Sequence, residues 1–379
     1  MNMSARINKI LTPVLKKRLC RKFNAKMIPC MRNHQELFRK VDPETTAKFK
    51  SLWSRLVPVK DDMWLRFFCN LSGIKDYRYM PEDIYLTQVE RILNDTNRVG
   101  GEAEDKNQYS LFIDREHQPR FLVRFIRGMF FDEDYKFLSD GNVSEILSKD
   151  NGPLIGKVAV GSGGGHGVKG LFYQGRGYFD KEGSQITAEW IRRNFDSYVI
   201  QEKIKQCDFS AQFNPYSANT CRIMTFRRPW DGVTCVAKAG MRFGAKSEVF
   251  DNLSSGGICV CLDSEGRLSK IGRTWYHMDQ WDKHPVSGVV FEGKQHPYFK
   301  EMCRLACKYA AHIPNFNLIS WDMVADEDGI VKILEINETS QSSDWVQYDF
   351  GPFFGDLTER VVDWCVENRH FDNFKHIRL

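Results

Sequence analysis

Ser320-Trp321-Asp322-Met323-Val324-Ala325-Asp326-Glu327-Asp328-Gly329-Ile330-Val331-Lys332-Ile333-Leu334-Glu335-Ile336-Asn337 reads as strand, acidic turn, strand. The tip is Asp326-Glu327-Asp328-Gly329, where glycine supplies the positive φ of a tight hairpin. Asp322 stands 13 residues before Glu335, so the two can face each other on paired strands. Glu335 and Asn337 are two apart and share one face. Three oxygen donors near the ends of neighbouring strands suit magnesium, which takes carboxylate oxygens together with water and nucleotide phosphates. The competing reading is the solvent face of an edge hairpin. Trp321, Val324 and Ile333 weigh against it, because they predict a buried hairpin in which an unpaired acid is costly.

Working back along the chain, Leu154 to Ala159 is a short apolar strand carrying Lys157, followed by Val160-Gly161-Ser162-Gly163-Gly164-Gly165-His166-Gly167-Val168-Lys169-Gly170. Glycines let main-chain N–H groups wrap an anion, so a phosphate cradle is the functional reading of Gly163, Gly164, Gly165 and His166. No Gly-Lys-Ser/Thr follows, which excludes a Walker loop. Gly165-x-Gly167-x-x-Gly170 fits the dinucleotide spacing, but Leu171 to Gly177 reads as strand and turn where that motif needs a helix. A flap between two antiparallel strands, closing over phosphates, remains beside a plain surface hairpin.

Tyr198-Val199-Ile200-Gln201-Glu202-Lys203-Ile204 is an apolar strand with a polar end, suited to line an adenine slot, and Asp208 just beyond could receive ribose hydroxyls. Arg222 and Arg242 lie within strand-like runs, as does Lys238. Arginine inside a strand is expensive unless it meets an anion, and a γ-phosphate or acyl phosphate would serve. Asn219, Asn252, Ser254, Gly256 and Gly257 are candidates for the acceptor pocket.

The net charge of +5 on 379 residues is too weak for general nucleic-acid binding, so no nucleic-acid partner is expected. The charge is uneven: residues 1–40 hold eleven Lys/Arg against Glu36 alone. Thr12 and Pro13 open a helix on which Leu15, Leu19, Phe23 and Met27 recur every four residues. Its basic side could lie on an anionic membrane or simply in water. No apolar run reaches the roughly 18 residues of a membrane span and no signal-peptide core is seen, which predicts a cytoplasmic protein, with residues 1–40 available for contact at the inner membrane surface. The eleven cysteines are odd in number and embedded in regular elements, as reduced core thiols would be. Strand-like runs dominate from 150 to 340, with helices at Thr187–Phe195, Tyr298–Ala311 and Gly355–Asn368, predicting an α+β fold rather than a βαβ alternation. The expected organisation is a basic helical N-terminal extension (1–75), an α+β region (76–150) and a nucleotide-binding domain (151–379).

In this order, with Asn219-Thr220-Cys221-Arg222, Asp251-Asn252 through Gly256-Gly257, His284-Pro285-x-x-Gly288 and Trp321-Asp322, the chain resembles the ATP-grasp superfamily, and most the sugar-transfer-associated ATP-grasp family found with surface-polysaccharide genes. The resemblance spans about residues 100–340. It implies two α+β subdomains clasping ATP. Lys106 and Lys157 would contact phosphates or adenine, Glu202 to Ile204 would bind the adenine edge, and Asp322, Glu335 and Asn337 would hold Mg²⁺. Arg222 and Arg242, with Lys238, would steady the transferring phosphoryl group. Two departures stand out: Val158-Ala159 follows Lys157 where relatives have proline, and Glu338 follows Asn337 where small residues are usual. The activity implied is an ATP-dependent carboxylate–amine ligase with an acyl-phosphate intermediate, acting on a sugar acid or glycan acceptor. A kinase acting on a sugar hydroxyl and a non-catalytic nucleotide-binding partner of a membrane glycosyltransferase are the alternatives.

Overall fold

The computed structural model describes residues 3–95, 104–161, 167–245, 253 and 256–372. Two seven-stranded sheets, all of whose pairings are antiparallel, organise the chain. The first contains β1 (Phe121–Ile126), β2 (Met129–Phe131), β3 (Phe137–Leu138), β4 (Leu154–Val158), β5 (Val168–Tyr173), β6 (Tyr178–Phe179) and β7 (Ser197–Glu202), in the order β3-β2-β1-β7-β4-β5-β6. The second contains β8 (Cys221–Arg227), β9 (Thr234–Phe243), β10 (Ile258–Leu262), β11 (Gly272–Thr274), β12 (Gln280–Trp281), β13 (Leu318–Ala325) and β14 (Val331–Asn337), in the order β12-β11-β10-β9-β8-β13-β14. This is the mixed helix and antiparallel-sheet composition expected of the α+β class.

Alternation along the strands gives each sheet two faces with different duties. In the first, Leu154, Tyr198 and Ile200 turn outward under the helices Asp140–Ser148 and Ala188–Asn194, while Val199, Phe121 and Ala159 join the core of the second sheet. In the second, Ile223, Ala239, Met241 and Val260 pack with the helix Phe299–Ala310, whose Phe299, Met302, Leu305, Ala306 and Tyr309 form a buried stripe at helical spacing.

The opposite face of the second sheet is covered by the N-terminal helices. Met27, Trp53, Trp64, Phe67 and Phe68 share one buried cluster with Met224, Phe226, Cys259, Cys261, Trp345 and Tyr348. The helix Pro43–Ser54 begins at Asp42, whose carboxylate caps Thr45 N–H at 2.9 Å with Pro43 in the first turn. Met63–Ser72 ends on Gly73 at φ 75°. The first helix runs Met3–Lys26 with Pro13 inside it, so Pro13 is not in its first turn as the sequence suggested. The boundary expected at 150 falls within the first sheet, since β1 pairs with β7. No described helix is long and apolar enough to cross a membrane. All eleven cysteines are free.

Candidate active site

Strand register assembles the charged groups. Glu335 lies opposite Asp322, Asp322 opposite Arg222, Arg222 opposite Gly240 and Gly240 opposite Cys261, one row across β14, β13, β8, β9 and β10. Asp322, 1% exposed, accepts from Arg222 through Nε–H to Oδ1 and Nη2–H to Oδ2, both at 2.8 Å. Arg242 Nη2 lies 3.0 Å from Oδ2, and its Nε and Nη2 also donate to Thr220 Oγ1 at 3.0 and 2.8 Å. Burial alone would raise the Asp322 carboxyl; the two guanidinium groups overcome it and hold the acid well below the usual carboxylate range.

Lys106 reaches the row from another element. Its Nζ lies 3.1 Å from Glu335 Oε1, and its backbone N–H donates to Ala159 O at 3.1 Å, tying this turn to the end of the strand before the glycine loop. Arg124, fully buried on β1, holds the turn by donating to the carbonyls of Lys106 (3.3 Å) and Asn107 (2.8 Å), with its guanidinium 3.6 Å over the Phe121 ring. Tyr109 accepts the N–H of Ile336 at 2.9 Å, fixing the same turn to β14. Lys157 on β4 is lowered to about 8 by burial, then by Lys106, against the opposing pull of Glu335 and Asp322. Among the described residues, the two sheets and the turn at Lys106 thus bring four cations, Lys106, Lys157, Arg222 and Arg242, beside the two carboxylates Asp322 and Glu335.

The strands that flank the glycine stretch and the expected adenine slot belong to the first sheet. β4 and β5 pair antiparallel from Leu154↔Leu171 to Lys157↔Val168, with Val158 N–H donating to Gly167 O at 3.1 Å, so the glycine stretch connects a hairpin. Gly167 sits at φ 79° with Val158 Cγ2 2.5 Å from where a Cβ would stand, so only glycine fits there. Gly163, Gly164, Gly165, His166, Asn252 and Ser254 lie outside the described residues. Gln201, on the same side of β7 as Val199, is 2% exposed and its Oε1 has no hydrogen-bond partner among the described residues. Ile204 is half-buried and Asp208 exposed, opening the short helix Asp208–Ala211. Glu202 and Lys203 are committed elsewhere: the Glu202 carboxylate accepts from Arg120 N–H at 2.9 Å, and Lys203 N–H donates to Pro153 O at 2.9 Å.

Two expected residues are not brought to this row. Lys238 donates to Phe350 O at 2.7 Å, and Trp345 sits over the intervening Gly240, where a Cβ would come within 2.3 Å of its ring. Asn219 spends its side chain inside its own loop, donating to Ser210 O (2.8 Å) and Asn214 O (2.7 Å) and accepting from Ser217 Oγ (2.8 Å). Gly256 is exposed at φ 92°, and Gly257 is buried beside β10.

The donor set fits a divalent ion held with phosphates. Glu335 is about one third exposed and Asn337 lies two residues on; the Asn337 Nδ2 is buried with no hydrogen-bond partner among the described residues, and its amide oxygen is the atom that could ligate a metal. Asp322 already receives three N–H contacts, and an ionised carboxylate offers about four acceptor positions, which leaves room for one more ligand.

Sequence reasoning missed what holds the loop after Asn337. Glu104 Oε1 accepts from the N–H groups of Glu338 (3.3 Å) and Thr339 (3.1 Å). Glu90 accepts from Ser340 (3.1 Å) and Gln341 (3.0 Å), and Glu82 from Ser343 N–H (3.1 Å) and Oγ (2.8 Å). Three carboxylates from residues 82–104 therefore grip successive amides of one loop, which includes Ser340 at φ 55°. A π-turn at Tyr85–Val89 brings Glu82 and Glu90 onto one side: the inserted residue makes eight positions span what seven do in a regular helix, about 20° short of two full turns.

Residues 127–351 match the family described as sugar-transfer associated ATP-grasp. No curated protein is significantly similar in sequence. Similar solved structures include N5-carboxyaminoimidazole ribonucleotide synthetase in an ADP complex, 11% identical over 64% of this chain and 46% of that one at a TM-score of 0.37. Biotin carboxylase from Campylobacter jejuni is 11% identical over 70% and 46%, at 0.40. D-alanyl-alanine synthetase A from Vibrio cholerae is 13% identical over 70% and 64%, at 0.37. The chain spans less than two thirds of each of these proteins.

Proposed function

The chain belongs to the sugar-transfer-associated ATP-grasp family and has its α+β fold with a helical N-terminal region, and from that premise we propose that it is an ATP- and Mg²⁺-dependent ligase joining a carboxylate to an amine through an acyl phosphate. In this reading the acid belongs to a sugar or glycan acceptor in surface-polysaccharide synthesis, and residues 1–40 contact a membrane surface or a glycosyltransferase. The observation that carries it is the row of Arg222, Asp322 and Glu335, faced by Lys106 and Lys157 from outside its own sheet.

Lys106 and Lys157 would take the phosphates, with the glycine hairpin above them, and Gln201 Oε1 would accept from an exocyclic amine of the base. Arg222 and Arg242, held rigid by Asp322 and Thr220, would aim guanidinium N–H groups at the charge that develops during transfer, without reorganising as it does so. Glu335 and Asn337, joined by Asp322, would hold Mg²⁺, whose chemistry is to polarise phosphoryl oxygens and neutralise their charge. Asp322, held ionised by two guanidinium groups, is a poor proton acceptor, and Glu335 is paired with Lys106. A hydroxyl acceptor needs its proton removed, whereas a substrate carboxylate is already ionised; this favours the ligase over the sugar kinase.

The test is ADP and phosphate release measured with a panel of sugar acids and amines. A ligase releases both products only when an acid and an amine are present together. A phosphorylated sugar as the stable product, or ATP bound without turnover on any pair, would overturn the reading.

A further inference from the structure

A cavity of about 580 Å³ lies beneath the basic N-terminal helix, between it and the segments around residues 57–64 and 81–88. The volume is that of a small-molecule site, for which about 300–1,000 Å³ is usual. Phe49, Pro58, Trp64 and Ile84 give it apolar walls. Its polar wall groups are largely spent: Lys16 pairs with Asp372 and donates to Gln88 Oε1 at 3.0 Å, Asp61 caps Met63 N–H at 3.0 Å, and Asp83 accepts from Asn24 at 3.2 Å and from Ile84 N–H at 3.0 Å. Two further lysines at the cavity, Lys17 and Lys60, are exposed and make no ion pair among the described residues.

A site with a hydrocarbon-lined interior and solvent-facing cations matches a ligand with an apolar chain and an anionic head. Inorganic phosphate would leave the walls bare, and a neutral amphiphile would leave the lysines unanswered. We propose that this cavity binds an anionic lipid, its chain against Phe49, Trp64 and Ile84 and its phosphate on Lys17 and Lys60. The charge of residues 1–40, eleven Lys/Arg against one acid, would draw such a ligand from an anionic membrane surface. The cavity is separate from the nucleotide row, so this inference stands or falls without it.

The test titrates the full chain with dodecyl phosphate below its micellar range, with inorganic phosphate and with dodecyl maltoside, and sediments it with phosphatidylglycerol or phosphatidylcholine vesicles. Dodecyl phosphate should bind one to one, at least tenfold tighter than the other two soluble probes. Ile84→Trp, which fills the cavity, and the pair Lys17→Glu with Lys60→Glu should each weaken it at least tenfold, and phosphatidylglycerol vesicles should lose the Ile84→Trp protein. Should that variant fail to melt cooperatively, Val59→Trp on the half-buried wall replaces it. Equal affinity for the three soluble probes overturns the proposal, as does indifference to the cavity-filling change. Vesicle binding that responds only to the lysine changes also overturns it, because headgroup attraction to the helix would then suffice.

Discussion

Asp322 and Glu335 face each other across two strands, yet their surroundings set them different tasks. Asp322 is buried between two guanidinium groups, and removing its charge breaks its ion pairs with both. Asp322→Asn should therefore cost about 3–5 kcal/mol, the usual effect of breaking a buried ion pair on one side only, read from urea denaturation. A loss under about 1 kcal/mol would mean that the arginines find other acceptors. Glu335 is about one third exposed and opposes one lysine. Glu335→Gln should leave a cooperative melt but lower turnover about 10²–10³-fold, the scale of losing one preorganised electrostatic group. Turnover close to the parent would remove Glu335 from the metal set. Parity made these two residues legible in the sequence, since Asp322, Glu335 and Asn337 need only a hairpin to meet. That Asp322 would be saturated by arginine was not legible, because the pairing of β8 with β13 joins positions 100 residues apart.

At the scale of elements, the loop after β14 depends on a helix far away in sequence. Glu82, Glu90 and Glu104 accept from amides 234 to 261 residues downstream. Nothing in a sequence marks a backbone N–H as the future partner of a carboxylate, so these three residues carry no sequence signal of that role. The strands and their hairpins, in contrast, followed from local alternation: Leu318–Ala325, Val331–Asn337 and Cys221–Arg227 lie within a residue or two of where their apolar runs predict them. Glu90 gives the clamp a pH signature. Burial pushes its carboxyl from 4.5 up to about 7, and the backbone N–H groups offset only part of that. Between these values the folded state binds a proton that the unfolded chain has released, so stability from this group falls as pH rises through the window. Glu90→Gln cannot titrate. The denaturation midpoint of Glu90→Gln relative to the parent should therefore rise from pH 5 to pH 7.5, superimposed on a constant loss from the weaker acceptor. A pH-independent difference would show that Glu90 is ionised throughout. A loosened loop should also lower turnover about 10–100-fold, as losses of groups that orient metal ligands do.

At the scale of the whole molecule, the sequence marks residues 1–75 as helical but does not show what those helices cover. The sequence reading made residues 1–75 an extension, whereas in the structure they share with residues 79–93 and 345–365 the buried cluster on one face of the second sheet. Phe67 meets Tyr348 edge-on at 5.7 Å, and Phe68 stacks on Tyr79 at 5.0 Å, so aromatic contacts run from the N-terminal helices to the segment that also carries Trp345. Trp53, Trp64, Phe67 and Phe68 are buried there. At about 1.5–3 kcal/mol for each such side chain, these four alone match the net stability of a typical domain, about 5–15 kcal/mol. A fragment comprising residues 76–379 would lose Met27, Trp53, Trp64, Phe67 and Phe68 from the cluster that holds Met224, Phe226, Cys259, Cys261, Trp345 and Tyr348, and the partners they leave would form an apolar surface that soluble monomers rarely carry. It would keep Glu82 and Glu90 but lose the packing behind the helix that presents them to the loop. The fragment should aggregate, or retain far-ultraviolet circular dichroism while losing near-ultraviolet signal and binding a hydrophobic dye. A soluble monomer that melts cooperatively near the parent temperature and binds ATP with parental affinity would show that the N-terminal helices are dispensable. If instead the fragment loses ATP binding and recovers it when residues 1–75 are supplied as a separate chain, the helices serve the site by holding the sheet and the clamp in place.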